Sequence, residues 1–155
     1  MSVEKTLILL KPDALQRGLI GKITSRIEER GLQVVGMKMI QLDDAKCAEH
    51  YAHLTNKPFY PKLVKFMTSA PVVAMAVSGV DAVKVIRDMC GPTNARNASA
   101  GTIRGDFSLS TQYNVIHASD SPETASKEVP RFFAKNEIFA WKRIMDEYTA
   151  AQDEK

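Results

Sequence analysis

The sequence predicts an α+β fold, and three observations carry that reading. Four short apolar runs of strand character are separated by segments with helical period. The chain has 155 residues, 45% of them hydrophobic and 25% charged, the composition of an ordinary globular protein. At that length a chain buries roughly 70% of the surface it exposes when unfolded, enough for one real core. No internal repeat or low-complexity stretch divides the sequence, so one domain covering residues 1–155 is expected.

The first strand is the continuous apolar run Thr6 to Leu10, the pattern of a strand buried on both faces. Pro12-Asp13 ends it and opens a helix, along which Leu15, Leu19, Ile20, Ile23 and Ile27 recur until Gly31 stops it. Gly18 and Gly21 fall within that helical pattern. Val34 to Leu42 reads as a second strand. Asp43 caps a helix running to about Leu54, and Pro61 to Thr68 forms another short one. Pro71 to Val77 is the third strand. Asp81 then caps a helix with the stripe Ala82, Val85, Ile86 and Met89, ended by Gly91-Pro92. Thr93 to Phe107 loses periodicity and reads as a long ordered loop, a feature often functional in compact domains. Asn114 to Ala118 is the fourth strand. Ser121 caps the next helix with Pro122 at its first position, and Pro130 is expected to end or kink it. A last helical segment is expected from about Glu137 to Tyr148. The order β-α-β-α-α-β-α-loop-β-α suggests a ferredoxin-like sandwich, a four-stranded antiparallel sheet with helices packed on it.

Composition excludes several classes. The net charge is only +3, and no basic run marks a dedicated nucleic-acid site. No stretch approaches the roughly 20 apolar residues of a membrane span, and no signal peptide is evident. Cys47 and Cys90 form no paired motif and read as buried thiols in a reducing compartment. A cytoplasmic protein without membrane contact is expected. Neither a Walker loop nor a Rossmann glycine turn is present. His50 and His53 lie three apart on a helix but lack a third ligand nearby, so they read as solvated or capping side chains.

The segment Asn114-Val-Ile-His117-Ala-Ser119-Asp-Ser121 concentrates the chemistry. It sets His117 at a strand end just before a helix N-terminus, where exposed N–H groups and a partial positive charge attract phosphate. A neutral imidazole is nucleophilic near pH 7. Glu128, on the following helix, can fold back to hold the ring, with Ser119 in support. A strand-end histidine with no more than this is also a common structural feature. Three dispersed cations are candidates for a cleft: Lys11 at the end of a buried strand, Arg87 off the apolar stripe of its helix, and Arg104 after the long loop. An arginine fork suits phosphate oxygens.

Asn114-Val-Ile-His-Ala-Ser-Asp-Ser121 resembles the active-site signature of nucleoside diphosphate kinases. Thr6-Leu-Ile-Leu-Leu-Lys-Pro-Asp13 is similar to their first strand, and Gly101-Thr-Ile-Arg-Gly-Asp-Phe107 to the exit of their nucleotide-binding loop. Glu49-His-Tyr51 and Lys57-Pro-Phe59 also fit, in order, and the likeness runs from about Val3 to Tyr148. The resemblance implies a ferredoxin-like fold and a Mg²⁺-dependent ping-pong transfer with nucleoside tri- and diphosphates as partners. By position it makes His117 the phosphorylated residue, oriented by Glu128 and Ser119 with Tyr51 beside it. Lys11, Arg87, Thr93, Arg104 and Asn114 would contact phosphates and sugar, and Phe59 would stack on the base. No protein metal site is implied, Mg²⁺ being carried mainly by the nucleotide phosphates. A homo-oligomer follows from the same resemblance, a hexamer rather than a tetramer. Departures are Ala118 where Gly is common, Ala95 and Ala100 where many relatives have proline near a subunit interface, and Leu54 where some place a histidine.

Two other readings compete. RNA-binding modules share the topology but need exposed aromatics on the central strands, whereas these strands carry Leu, Val, Ile and Met and only 7% of the chain is aromatic. A catalytically inactive relative would be expected to lack the histidine or a phosphate contact, and all are present.

Overall fold

In a computed structural model, residues 3–154 are described. Met1, Ser2 and Lys155, the ends of the expected domain, lie outside the described residues. Four strands form one sheet: β1 (Val3–Leu10), β2 (Gln33–Ile40), β3 (Val72–Val80) and β4 (Ile116–Ala118). Their order is β2-β3-β1-β4, every adjacent pair antiparallel. This is the expected ferredoxin-like arrangement.

Strand alternation builds two cores. Ile8 and Leu10 of β1 join Val73, Met75 and Val77 of β3 on one face, while Leu7 and Leu9 join Val72, Ala74 and Ala76 on the other. The first face is covered by α1 (Pro12–Gln16), α2 (Ile20–Glu29) and α5 (Ala82–Cys90), which contribute Ala14, Ile23, Ile27 and Ile86. The second is covered by α3 (Asp44–His50), α4 (Tyr60–Met67) and α7 (Pro122–Phe132), which contribute Cys47, Phe66, Met67, Val129 and Phe132. The central strands are thus buried on both sides, which explains their unbroken apolar runs. In β4, Ile116 and Ala118 enter the first core, so His117 must face the second, toward α3 and α7.

Several elements differ from the sequence expectation for visible reasons. The first helix is two. Gly18 adopts φ 65°, its N–H bonds Leu15 O, and Leu19 N–H bonds Ala14 O at 2.9 Å, the double bond of a Schellman stop. Asp81 does not cap α5 with its side chain; it is itself left-handed at φ 48°, and Glu4 from β1 accepts Val83 N–H instead. The helix after Asp43 ends at His50, followed by a 3₁₀ turn over Ala52–Leu54. Pro130 lies inside α7, which continues to Phe132. The long loop contains a short 3₁₀ turn and α6 (Ile103–Phe107), capped by Thr102. The helix expected from Glu137 to Tyr148 is reduced to a 3₁₀ turn over Ile144–Tyr148, and residues 138–143 are not helical. Tertiary bonds claim that segment: Phe139 N–H bonds Val35 O, Gln33 bonds Trp141 O, and Arg143 bonds Gly31 O and Leu32 O.

The α7 start is capped by Ser121, whose Oγ accepts Thr124 N–H at 3.0 Å. Ser121→Ala is expected to destabilise the protein by about 1 kcal/mol, read as a lower urea midpoint at unchanged m, whereas Ser126→Ala shifts it by under about 0.5 kcal/mol.

Candidate active site

The backbone ahead of His117 is bent sharply. Val115 has φ 62°, an uncommon conformation for a β-branched residue, and Ile116 N–H closes on Asn114 O at 2.8 Å. Such strain costs on the order of 1–3 kcal/mol and persists only where neighbours impose it. Here Asp13 Oδ2 accepts Val115 N–H at 3.1 Å, and Val115 O accepts Lys11 N–H at 2.9 Å. The bend explains why β4 begins at Ile116 and not at Asn114.

His117, its side chain 22% exposed, sets Nε2 3.3 Å from Glu128 Oε2. Ser119 Oγ donates to the same oxygen at 2.6 Å and accepts Leu7 N–H at 3.2 Å, which locks the hydroxyl's direction. Burial pushes the Glu128 carboxyl up, but the bonds from His117 and Ser119 and the nearby His50 outweigh it and hold it at about 2. An ionised carboxylate only accepts, so Nε2 of His117 carries the proton and Nδ1 carries the lone pair. Tyr51 is buried, its ring 6.5 Å from that of His117, with the hydroxyl held well above its usual range by burial.

A second network lies at the other end of the bend. Lys11 Nζ donates to Asn114 Oδ1 at 2.7 Å, and Asn114 Nδ2 donates to Thr93 O and Thr111 O. Burial, reinforced by Arg104, lowers Lys11 to about 8. Arg104 is buried, donating to Gly91 O, Ile116 O and Asn114 O, which leaves only its remaining N–H groups for a ligand. The open cleft position expected of Arg104 is therefore corrected: it braces the β4 entry as well. Arg87 is exposed and borders a groove of about 500 Å³ with Asp120, Ser121 and Pro122, at the N-terminus of α7. Phe59 stands 50% exposed at the start of α4. That helix is tied to the loop before β4 by the Phe66–Tyr113 ring contact and a Gln112–Lys62 bond. Among the described residues, neither Phe59 nor Arg87 is hydrogen-bonded into either network.

The expectation for His50 is also corrected. His53 is exposed, but His50 is buried within the site, its ring 4.7 Å from that of His117. Cys47, His50, Tyr51 and Leu54 repeat at helical spacing, a stripe that points His50 inward. His50, His117 and Glu128 bring ligating atoms within 4.8 Å of one another, the one such triad among the described residues. Its two nitrogens do not suit hard Mg²⁺, which prefers oxygen ligands, and the Arg131 guanidinium on His50 Nδ1 opposes a cation.

The model of the nucleoside diphosphate kinase family matches residues 4–138. The chain is 54% identical to a nucleoside diphosphate kinase of Parabacteroides distasonis, covering 88% of this chain and 90% of that protein. It is 50% identical to one of Staphylothermus marinus, covering 91% and 100%. Among solved structures, a nucleoside diphosphate kinase of Halobacterium salinarum in complex with CDP superposes with TM-score 0.94 at 40% identity, covering 96% of this chain and 99% of that one. A transition-state mimic of the Borrelia burgdorferi enzyme with vanadate and ADP gives TM-score 0.89 at 38% identity, covering 96% and 98%. With the sheet order, the His117–Glu128–Ser119 constellation and these matches in agreement, the chain belongs to the nucleoside diphosphate kinase family of phosphotransferases.

Proposed function

We propose that the protein transfers the terminal phosphoryl group of a nucleoside triphosphate, mainly ATP, to a nucleoside diphosphate through a phosphohistidine at His117, and so maintains nucleoside triphosphate pools. The observation that carries this is the Nε2–Glu128 bond, which fixes the tautomer and leaves the Nδ1 lone pair for attack. In the first half-reaction Nδ1 bonds the terminal phosphorus, the bond to the bridging oxygen breaks, and the diphosphate leaves with that electron pair. Glu128 balances the positive charge that develops on the ring, and Ser119 steadies Glu128. A second diphosphate takes the group by the reverse path, which makes the kinetics ping-pong.

Lys11, Arg87 and Arg104 are assigned to the phosphates, Thr93 and Asn114 to phosphate and sugar, Tyr51 to the wall beside His117, and Phe59 to the base. Mg²⁺ arrives on the nucleotide's phosphates, where it offsets their charge. The Halobacterium and Borrelia relatives, solved with CDP and with vanadate plus ADP, support a nucleotide site of this kind. Exposed Met37 and Met39 on edge strand β2, and Ile144 and Tyr148 beyond α7, support a homo-oligomer, read here as a hexamer. Among the described residues no helix is long and apolar enough to cross a membrane, and a cytoplasmic location is proposed.

ATP with Mg²⁺ is expected to leave an acid-labile, base-stable phosphoryl group on the protein, which added nucleoside diphosphate removes. A serine or threonine ester would be too stable to return the group readily. His117→Ala should lose both labelling and transfer yet still bind nucleotide; near-normal transfer by that variant, or a label that survives acid, overturns the assignment and separates an active enzyme from an inactive relative.

Base selectivity is expected to be weak, because Phe59 offers a π-face without a hydrogen-bond pattern. Values of kcat/KM for ATP, GTP, CTP and UTP should differ by far less than roughly 10⁴, the discrimination of a hydrogen-bonded pocket.

Arg87→Ala and Arg104→Ala are expected to lower kcat more than they raise KM, since both cations would meet charge that shifts during transfer. Raised KM at unchanged kcat in both would assign them to uniform binding. Arg104→Ala should also lower thermal stability, because it strands three carbonyls.

A further inference from the structure

One helical turn beyond Glu128 on α7 stands Arg131, at the i,i+3 spacing where a glutamate and an arginine ordinarily meet. Among the described residues no ion pair joins these two. Arg131 Nη1 instead donates to His50 Nδ1 at 3.2 Å and to the His50 carbonyl at 3.4 Å, and its Nε lies 3.8 Å from Glu49 Oε1. The same His50 nitrogen lies 3.9 Å from Glu128 Oε1. One imidazole nitrogen is thus within reach of both members of an ion pair that does not form. The other Glu128 oxygen is occupied by His117 and Ser119.

The protonation of His50 follows from its partner. A guanidinium has no acceptor, so Nδ1 must supply the lone pair and Nε2 carries the proton. That Nε2 is buried without a hydrogen-bond partner. Burial, reinforced by the neighbouring His117 and the Arg131 guanidinium, lowers the ring to about 3, so it is neutral wherever the enzyme works. Edge contacts with Tyr51 at 4.6 Å, His117 at 4.7 Å and Phe132 at 5.1 Å fix its plane. A neutral ring in this tautomer takes the arginine's hydrogen bond without adding a second cation beside Glu128. A guanidinium released from it would compete for that carboxylate with a fork of donors, against the single bond from His117.

We infer that His50 is a positioning residue: by accepting the Arg131 hydrogen bond at Nδ1 it keeps the guanidinium off Glu128 and reserves that carboxylate for His117. The inference rests on the proposed part of the His117–Glu128 pair in phosphoryl transfer.

His50→Phe keeps the aromatic edges and removes the acceptor, while His50→Gln keeps an acceptor. The rate of phosphoryl-enzyme formation at saturating ATP and Mg²⁺ is expected to fall at least about tenfold in His50→Phe with ATP affinity unchanged, to stay within about threefold of the parent in His50→Gln, and to recover most of its loss in His50→Phe/Arg131→Met. Recovery on removing a second residue is a result that a purely structural role would not give. An undiminished rate in His50→Phe, a loss as deep in His50→Gln, or an equal loss with and without Arg131 overturns the inference. If His50→Phe does not fold, His50→Asn with and without Arg131→Met makes the same comparison, because its shorter amide falls short of the guanidinium. The parent and His117→Ala run in the same series: an unlabelled parent counts against the phosphohistidine itself, separately from the role of His50.

Discussion

The contact between Glu128 and Nε2 of His117 organises the rest of the site. It decides which ring nitrogen keeps a lone pair, and so, in the proposed transfer, where a phosphoryl group would be received. Each neighbour of the pair acts by shaping that contact. Ser119 donates to the same carboxylate oxygen while being held by the backbone of β1. The α7 cap at Ser121 fixes where Glu128 hangs along its helix. Burial would otherwise favour a protonated carboxyl, and the polar partners keep it ionised at about 2.

The sheet supplies what one contact cannot. Antiparallel pairing sets Leu9 opposite His117, and strand alternation sends the imidazole to the face occupied by α3 and α7. The left-handed Val115 shortens the strand before it, so the chain turns from the Lys11–Asn114 network into His117 within a few residues. Lys11, just after β1, and Asp13, in the first turn of α1, hold this bend through the Val115 backbone. The same short segment therefore places both the Lys11 cation and His117, the proposed nucleophile, and strain at Val115 is tolerated because both sides of it are tethered.

Much of this was legible in the sequence. The apolar runs of β1 and β3 reported strands buried on two faces because hydrophobic burial acts residue by residue. His117, Glu128 and Ser119 could be grouped because a strand end, a cap and a helix bring them together locally, and the structure does so. What escaped was set by long-range geometry. Glu137 to Tyr148 has helical period, yet Phe139 N–H goes to Val35 O of β2, Trp141 O accepts from the Gln33 side chain, and the Arg143 side chain reaches Gly31 O, so that only Ile144–Tyr148 keeps a 3₁₀ turn. Asp81 has the chemistry of a cap, but its left-handed backbone leaves the role to Glu4 from another element. His50 was readable only as part of the Cys47–Tyr51 stripe, and Arg131 gives no local sign that its partner lies on α3. Arg104 was placed near the correct chain segment, but its burial depends on carbonyls contributed by Gly91, Asn114 and Ile116.

If Lys11 meets the nucleotide phosphates as proposed, its depressed pKa would tie nucleotide capture to proton exchange with the medium. At about 8, this ammonium is only partly charged in mildly alkaline solution before a ligand arrives. A phosphate set beside it would restore the charged form, and the complex would take up a proton that the empty protein had released. In that role, affinity for phosphate-bearing ligands would decline as pH climbs past that value, until the ligand-bound ammonium itself begins to titrate. In calorimetry the observed binding heat would vary with the ionisation enthalpy of the buffer. A lysine at the end of a buried strand would, in the proposed site, act as a proton-coupled receptor for anions, its degree of charge set by whether the site is filled.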